Sequence, residues 1–131
     1  MEEYTHIGDS IVERYNVDFE NKKLSMICVH WCGKDNSERR ETAVVFDNVF
    51  THLFVGINNK GNILFDITET TLDDLYFRFG HILDKYHFEF YTKDKLAQMI
   101  NDTYKIYLIN SSYGLYGMII SERINFLCNE N

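Results

Sequence analysis

Three side chains in one short stretch have the chemistry to hold a metal. Cys28, His30 and Cys32 alternate, so an extended chain projects all three from one face. Thiolate and imidazole are good zinc ligands. A spacing of two residues along a strand strains a single metal, and no second cysteine pair follows. Cys128 or another histidine would have to complete the set. Small soft residues packed beneath a helix explain the same pattern, because a cysteine outside a disulfide is among the most buried residue types. No metal and no cofactor are therefore expected. The histidines His6, His30, His52, His81 and His87 form neither H-x-x-x-H nor H-x-x-E-H. Cys28 or Cys32 with His52 could make a nucleophile and base, but three cysteines and five histidines always permit such a pair. Asp66 and Glu69 could act as general acid and base. Among 20 acidic residues, however, some pair always looks suggestive. There is no phosphate-binding glycine loop and no G-x-S-x-G elbow, and Ser111-Ser112-Tyr113-Gly114 reads as a turn. The chain is expected not to be an enzyme.

The acidic residues carry more information as a surface. Asp66, Glu69, Asp73 and Asp74 fall in a stretch without Lys or Arg, and Tyr76 follows. Complementing a helix dipole explains Asp73 and Asp74 with no partner at all. An electrostatic docking patch explains all five residues. Asp9, Glu13, Asp18 and Glu20 make a second acid-leaning run, relieved only by Arg14. Over the whole chain 20 acidic side chains face 13 basic ones, a formal −7. That balance excludes the basic footprint of a nucleic-acid binder and suits a basic protein partner. Trp31, Tyr76, Tyr113 and Tyr116 would supply the anchoring contacts if exposed.

The elements that position these residues follow from periodicity. Ile11, Tyr15, Val17 and Phe19 alternate with polar residues, which predicts a strand with Glu13 interrupting its apolar face. Glu20-Asn21-Lys22-Lys23 is a turn in which Asn21 can take positive φ. The strand over 24–31 is apolar on both faces and so central. Residues 32–40 are loop. A strand over 41–47 kinks at Asp47-Asn48 and resumes to Phe54. Asn58-Asn59-Lys60-Gly61-Asn62 predicts a tight hairpin into the strand Ile63–Thr68. The period then changes. Leu72, Leu75, Tyr76, Phe79, Ile82, Leu83 and Tyr86 form one helical stripe, capped by Thr70 or Thr71. A second helix from about Thr92 buries Leu96, Met99 and Ile100. Strands at Tyr104–Asn110 and Leu115–Arg123 close the chain.

These elements make an α+β fold, a mostly antiparallel sheet of about six to seven strands with two helices inserted before the last two strands. At 131 residues the chain is one domain, 1–131, with 1–10 a lead-in and 124–131 a loosely ordered tail. No apolar run approaches the roughly 18 residues that span a bilayer. The first residues lack the hydrophobic stretch of a signal peptide. Three cysteines without a secretory signal fit reduced thiols. The expected location is the cytoplasm.

The segments Val44-Val45-Phe46-Asp47-Asn48-Val49-Phe50-Thr51-His52-Leu53-Phe54, Ile63-Leu64-Phe65-Asp66-Ile67-Thr68-Glu69 and Ser111-Ser112-Tyr113-Gly114-Leu115-Tyr116-Gly117 resemble small bacterial immunity proteins. These are the inhibitors encoded beside polymorphic and contact-dependent toxins. The resemblance spans about residues 11–123 and lies mostly in apolar strand cores. It implies a compact acidic cytosolic protein that neutralises a cognate toxin C-terminal domain, often a nuclease, and it carries over no contact residues. A nuclease cleft holds phosphates and is basic, so carboxylates can imitate its substrate. The expected partner is thus a basic toxin domain, bound by a monomer or weak homodimer through Asp66, Glu69, Asp73, Asp74 and Tyr76. No direct contact with nucleic acid or membrane is expected. The rival readings are a small acidic secretion chaperone, favoured by a dimer with an apolar groove, and a small-ligand or enzymatic α+β domain, favoured by a deep cavity lined by His52, Asp66 and a cysteine.

Overall fold

The computed structural model describes residues 2–86 and 92–129, the side chains of 81, 84–86 and 129 excepted. Seven strands and two helices follow one another as β1 (Glu3–Tyr4), β2 (Ile11–Asp18), β3 (Lys23–Cys32), β4 (Glu38–Val55), β5 (Ile63–Thr70), α1 (Leu72–Tyr86), α2 (Lys93–Asp102), β6 (Lys105–Tyr113) and β7 (Tyr116–Asn129). The sheet is antiparallel throughout, in the order β1-β5-β2-β3-β4-β7-β6. β5 also pairs with β6 from Ile63↔Tyr113 to Thr70↔Ile106, so the sheet closes on itself. The joint between β2 and β5 is narrow. It consists of Ile11↔Ile63 with Val12 N donating to Asn62 O at 2.8 Å and Leu64 N to Ser10 O at 2.9 Å.

Period-two alternation divides the core into two layers. On β6, Tyr107 and Ile109 point inside the closed sheet, with Leu24, Met26, Phe46 and Ile119. Ile106 and Leu108 point outward and meet Leu75, Phe79 and Leu83 of α1 and Leu96 of α2. Burial of each such large apolar side chain contributes about 1.5–3 kcal/mol. The helices follow the expected stripe, with Leu75, Phe79 and Leu83 buried and Ile82 half-buried. The side chain of Tyr86 lies outside the described residues. Thr71 caps α1 by accepting from Asp74 N at 3.2 Å, and Thr92 caps α2 by accepting from Lys95 N at 3.2 Å.

Two bulges correct the simple alternation. Glu13 is the extra residue where β2 shifts register against β3. It inverts the phase, so Val12 is buried and Ile11 is exposed, although Ile11 was expected to share the face of Tyr15 and Val17. In β4, Asn48 takes φ 50° near a register shift against β7, as the Asp47-Asn48 kink predicts. Val44 and Phe46 face inward before it and Val49 and Phe54 after it, while Phe50 and Leu53 turn to the helices.

Other expectations change with the topology. Residues 56–62 do not close a hairpin, because β4 pairs with β3 and β7 while β5 pairs with β1, β2 and β6. They form a crossover whose side chains supply its order. Asn62 Oδ1 accepts from Asn58 N at 3.0 Å and Leu115 N at 2.9 Å, and Asn62 Nδ2 donates to Asn58 O at 2.9 Å. Gly114, at φ 85°, must be glycine there, since a Cβ would stand 2.5 Å from Asn62 Oδ1. At the β2–β3 turn Lys22, not Asn21, takes positive φ, and Asn21 instead donates to the Asp18 carboxylate. The chain end also differs from a loose tail. β7 continues along β4 to Asn129, because Ile124 and Phe126 alternate onto the inner core. Residues 130 and 131 lie outside the described part.

Candidate functional site

The five residues singled out in the sequence fall into three linked groups. Asp66, Thr68 and Thr70 are alternate residues of β5 on the side that carries α1. Asn110, opposite Asp66 on β6, donates through Nδ2 to Asp66 Oδ1 at 2.6 Å and to Thr68 Oγ1 at 3.1 Å. Asp66 is only 6% exposed, so its carboxylate stands behind Asn110 and not on the surface. At the end of the row Thr70 donates to Asp74 Oδ2 at 2.8 Å, and Arg78 Nε donates to the same oxygen at 3.0 Å. Burial pushes the Asp74 carboxyl up, but these two donors outweigh it and hold the group below its ordinary range.

Glu69 faces the other way. The pairing of Glu3 with Thr68 brings the N-terminal segment alongside, so that Glu69 N donates to Glu2 O at 2.8 Å and Glu2 N donates to Glu69 Oε2 at 3.3 Å. Tyr4 is raised by burial and further by the charges of Glu2 and Glu69. Tyr107 is raised by burial first, then by Tyr4, Glu69 and Glu2. Asp73 lies on the first turn of α1, largely exposed, and pairs with Lys93 at 2.9 Å. The same ammonium sits 5.5 Å from the Tyr76 ring centroid. The Asp73 carboxylate accepts a hydrogen bond from Lys93 and thereby raises that ammonium.

Glu2, Glu3 and Glu69 gather where β1 meets the end of β5, and Asp73 and Asp74 follow on the first turn of α1, so that this end of the sheet carries an acidic band interrupted by Lys93 and Arg78. Glu2 and Glu3 were missed in the sequence, where they read as lead-in. The one clue is Ile7, an apolar residue in a polar segment, which anchors that strand at 1% exposure. A second missed residue is Phe77, 89% exposed. Its position off the apolar stripe of α1 is legible in the helical period. Beside it a groove of about 350 Å³ runs between α1 and the β6–β7 hairpin, lined by Phe77, Arg78, Phe79, Asn110 and Tyr116. Of the aromatics proposed as anchors, Trp31, Tyr113 and Tyr116 are exposed and Tyr76 is half-buried.

A groove of about 460 Å³ at the open end of the sheet is lined by Val17, Phe19, Lys22, Phe50, His52 and Tyr104, among others, but by neither Asp66 nor a cysteine. Cys28 is fully buried, and desolvation pushes its thiol up to about 12. Among the described residues no three His, Cys, Asp or Glu side chains converge as metal ligands. The buried polar residues Ser10, Thr42, Asp66 and Ser121 lie on separate segments. No helix among the described residues is long and apolar enough to cross a membrane.

No family model matches the chain, and neither does any curated protein or solved structure.

Proposed function

We propose that this protein is a cytoplasmic immunity protein that binds and neutralises a cognate bacterial toxin domain, most simply a nuclease. The observation that supports it is the acidic band, flanked by exposed aromatics. Its acids come from three elements, Glu2 and Glu3 from the β1 segment, Glu69 from β5 and Asp73 and Asp74 from α1, and β1 brings Glu2 and Glu3 to the same edge as Glu69. With a formal −7 overall, such a surface attracts a basic cleft from a distance and speeds association. Asp73 and Asp74 are each shared with a cation of the chain itself, so docking exchanges the exposed Lys93 pair for a contact with the toxin. Such exposed pairs contribute about 0–1 kcal/mol, and giving one up costs little. Phe77 and Tyr116 supply apolar contact area, which area-based burial makes the larger source of affinity.

Glu69, Asp73, Asp74 and Tyr76 serve as contact residues in this reading, joined by Glu2, Glu3 and Phe77. Asp66 acts from behind Asn110. The protein performs no bond-making step. Co-expression with the C-terminal toxin domain encoded beside its gene tests the reading. The two should co-purify one to one, and cells carrying both should grow. Absence of a complex, or a complex that leaves the cells dying, contradicts it.

A further inference from the structure

We infer that the outer face of β3, the first half of β4 and the second half of β7 docks a second copy of this chain in a two-fold pair. The helices cover other parts of the sheet. They pack on β6, on the first half of β7 and on the second half of β4, through Ile106, Leu108, Met118, Ile120, Phe50 and Leu53. Among the described residues no element lies over the remaining outer face. There the strand register sets Ile27, Ala43 and Leu127 side by side in one row. Ile11 and Trp31 extend this apolar surface at 41% and 52% exposure, beside Leu127 at 61%.

Charge and shape both select a second copy over the basic partner. Arg39 spans Glu13 at 2.6 Å and Glu41 at 3.1 Å, Arg14 holds Glu13 at 2.9 Å, and Lys23 holds Asp47 at 3.5 Å. Arg123 pairs with Glu122 at 3.5 Å alongside. Cations and carboxylates thus cancel here, on a chain of formal −7. Two copies that repel each other elsewhere do not repel through this face, and a basic domain gains no attraction from it. The short side chain of Ala43 floors a trough of about 350 Å³ between Ile27 and Leu127. A knob and a hole on neighbouring strands complement themselves. A two-fold axis along the strands, between β4 and β7, seats the Leu127 side chain of each copy on the Ala43 of the other. From strand spacing and rise the patch spans roughly 400 Å². A standard interface takes about 800 Å² per partner, so the pair is weak, with dissociation near about 0.1 mM. In the closed sheet β4 stands opposite β5, so pairing leaves the acidic band free.

Sedimentation equilibrium of the whole protein from about 10 μM to about 1 mM, with 15N-resolved NMR over the same range, tests the pair. A monomer–dimer equilibrium should appear, with concentration-dependent shifts at the amides of Ile27, Ala43 and Leu127 and at the indole of Trp31. Leu127→Lys, at an exposed site, should weaken the pair at least tenfold, and Leu127→Met should preserve it. Phe77→Ser, equally apolar and exposed but on α1, should leave it unchanged. Added salt should tighten the pair by screening the repulsion between two acidic copies. A protein that stays monomeric to 1 mM, a dimer that Leu127→Lys does not disturb, or one that salt dissociates would overturn the inference. None of these measurements involves a toxin, so this reading and the proposed function fail separately.

Discussion

Replacing Asn62 by alanine should loosen the closure of the sheet where the crossover meets the β6–β7 turn. Its side chain makes three hydrogen bonds to main-chain groups, at 2.9–3.0 Å, and one of the donors is the N–H of Leu115, a residue 1% exposed. A typical internal hydrogen bond contributes about 1 kcal/mol net, and a buried donor left without a partner costs about 1–3 kcal/mol. The loss is therefore about 3 kcal/mol. With a urea m-value of about 2 kcal/mol/M for a domain of this size, the midpoint should fall by about 1.5 M. Asn62→Asp keeps the acceptor for Asn58 and Leu115 but loses the donor to Asn58 O, so it should fall between alanine and wild type. Asn59→Ala, exposed in the same loop, should stay within about 0.5 kcal/mol. Urea unfolding followed by tryptophan fluorescence and by circular dichroism measures all three. If Asn62→Ala unfolds within about 0.5 kcal/mol of wild type, the side chain does not hold the crossover and the reasoning fails.

Further outcomes follow from the same geometry. A methyl group at Gly117 would run into the Leu53 carbonyl across the β4–β7 pair, so Gly117→Ala should destabilise by about 1–3 kcal/mol in thermal unfolding; an unchanged transition would show that the strands do not approach this closely. A thiol reagent at pH 8 should modify exposed Cys128 fast and half-buried Cys32 more slowly, and should reach Cys28, whose thiol is pushed up to about 12, only on unfolding; prompt reaction of all three would contradict the core packing. Asp18 and Asp74 are held below the ordinary carboxylate range, Asp18 chiefly by hydrogen bonds from Asn21 and Asp74 by Thr70 and Arg78 against the opposing effect of burial. Their stabilisation is present above the unfolded value of about 3.9 and is lost as pH falls through the lower folded values. The stability gap between wild type and Asp74→Asn should therefore shrink as pH falls from 5 towards 3, and a gap independent of pH would remove the ion pair from the account.

The two periods in the sequence made much of the fold legible. Alternation located the strands, the three-four spacing of Leu72, Leu75, Phe79 and Leu83 located α1, and Asp47-Asn48 marked the bulge in β4. What the sequence hid was pairing. A turn-forming run such as Asn58–Asn62 has the same residue types whether it joins neighbouring strands or crosses to a distant one, because φ preference is local and partner choice is not. The phase inversion at Glu13 was hidden for a related reason, since an extra residue shows only against its partner strand. Ile124 and Phe126 fall in the stretch read as a loose tail, because only their pairing with Phe46 and Val44 of β4 makes that stretch a strand. Within the site, the local run Asp66–Tyr76 was visible, but its distribution over both faces of β5 was not. Asp66 and Glu69 stand three apart on a strand, which sends them to opposite sides. Glu2 and Glu3 joined the band only through a two-residue strand too short to carry any pattern.

If the acidic band steers a basic toxin domain onto this surface, as proposed, the association rate with that domain depends strongly on ionic strength. Stopped flow from low to high salt measures it. The wild-type rate should fall steeply with salt, and the double variant Glu3→Lys with Asp73→Lys should associate about tenfold or more slowly at low salt and lose most of that disadvantage at high salt. Both sites are exposed, so the variant should remain folded. Rates that ignore salt, or a charge-reversed variant that associates as fast as wild type, would contradict the claim.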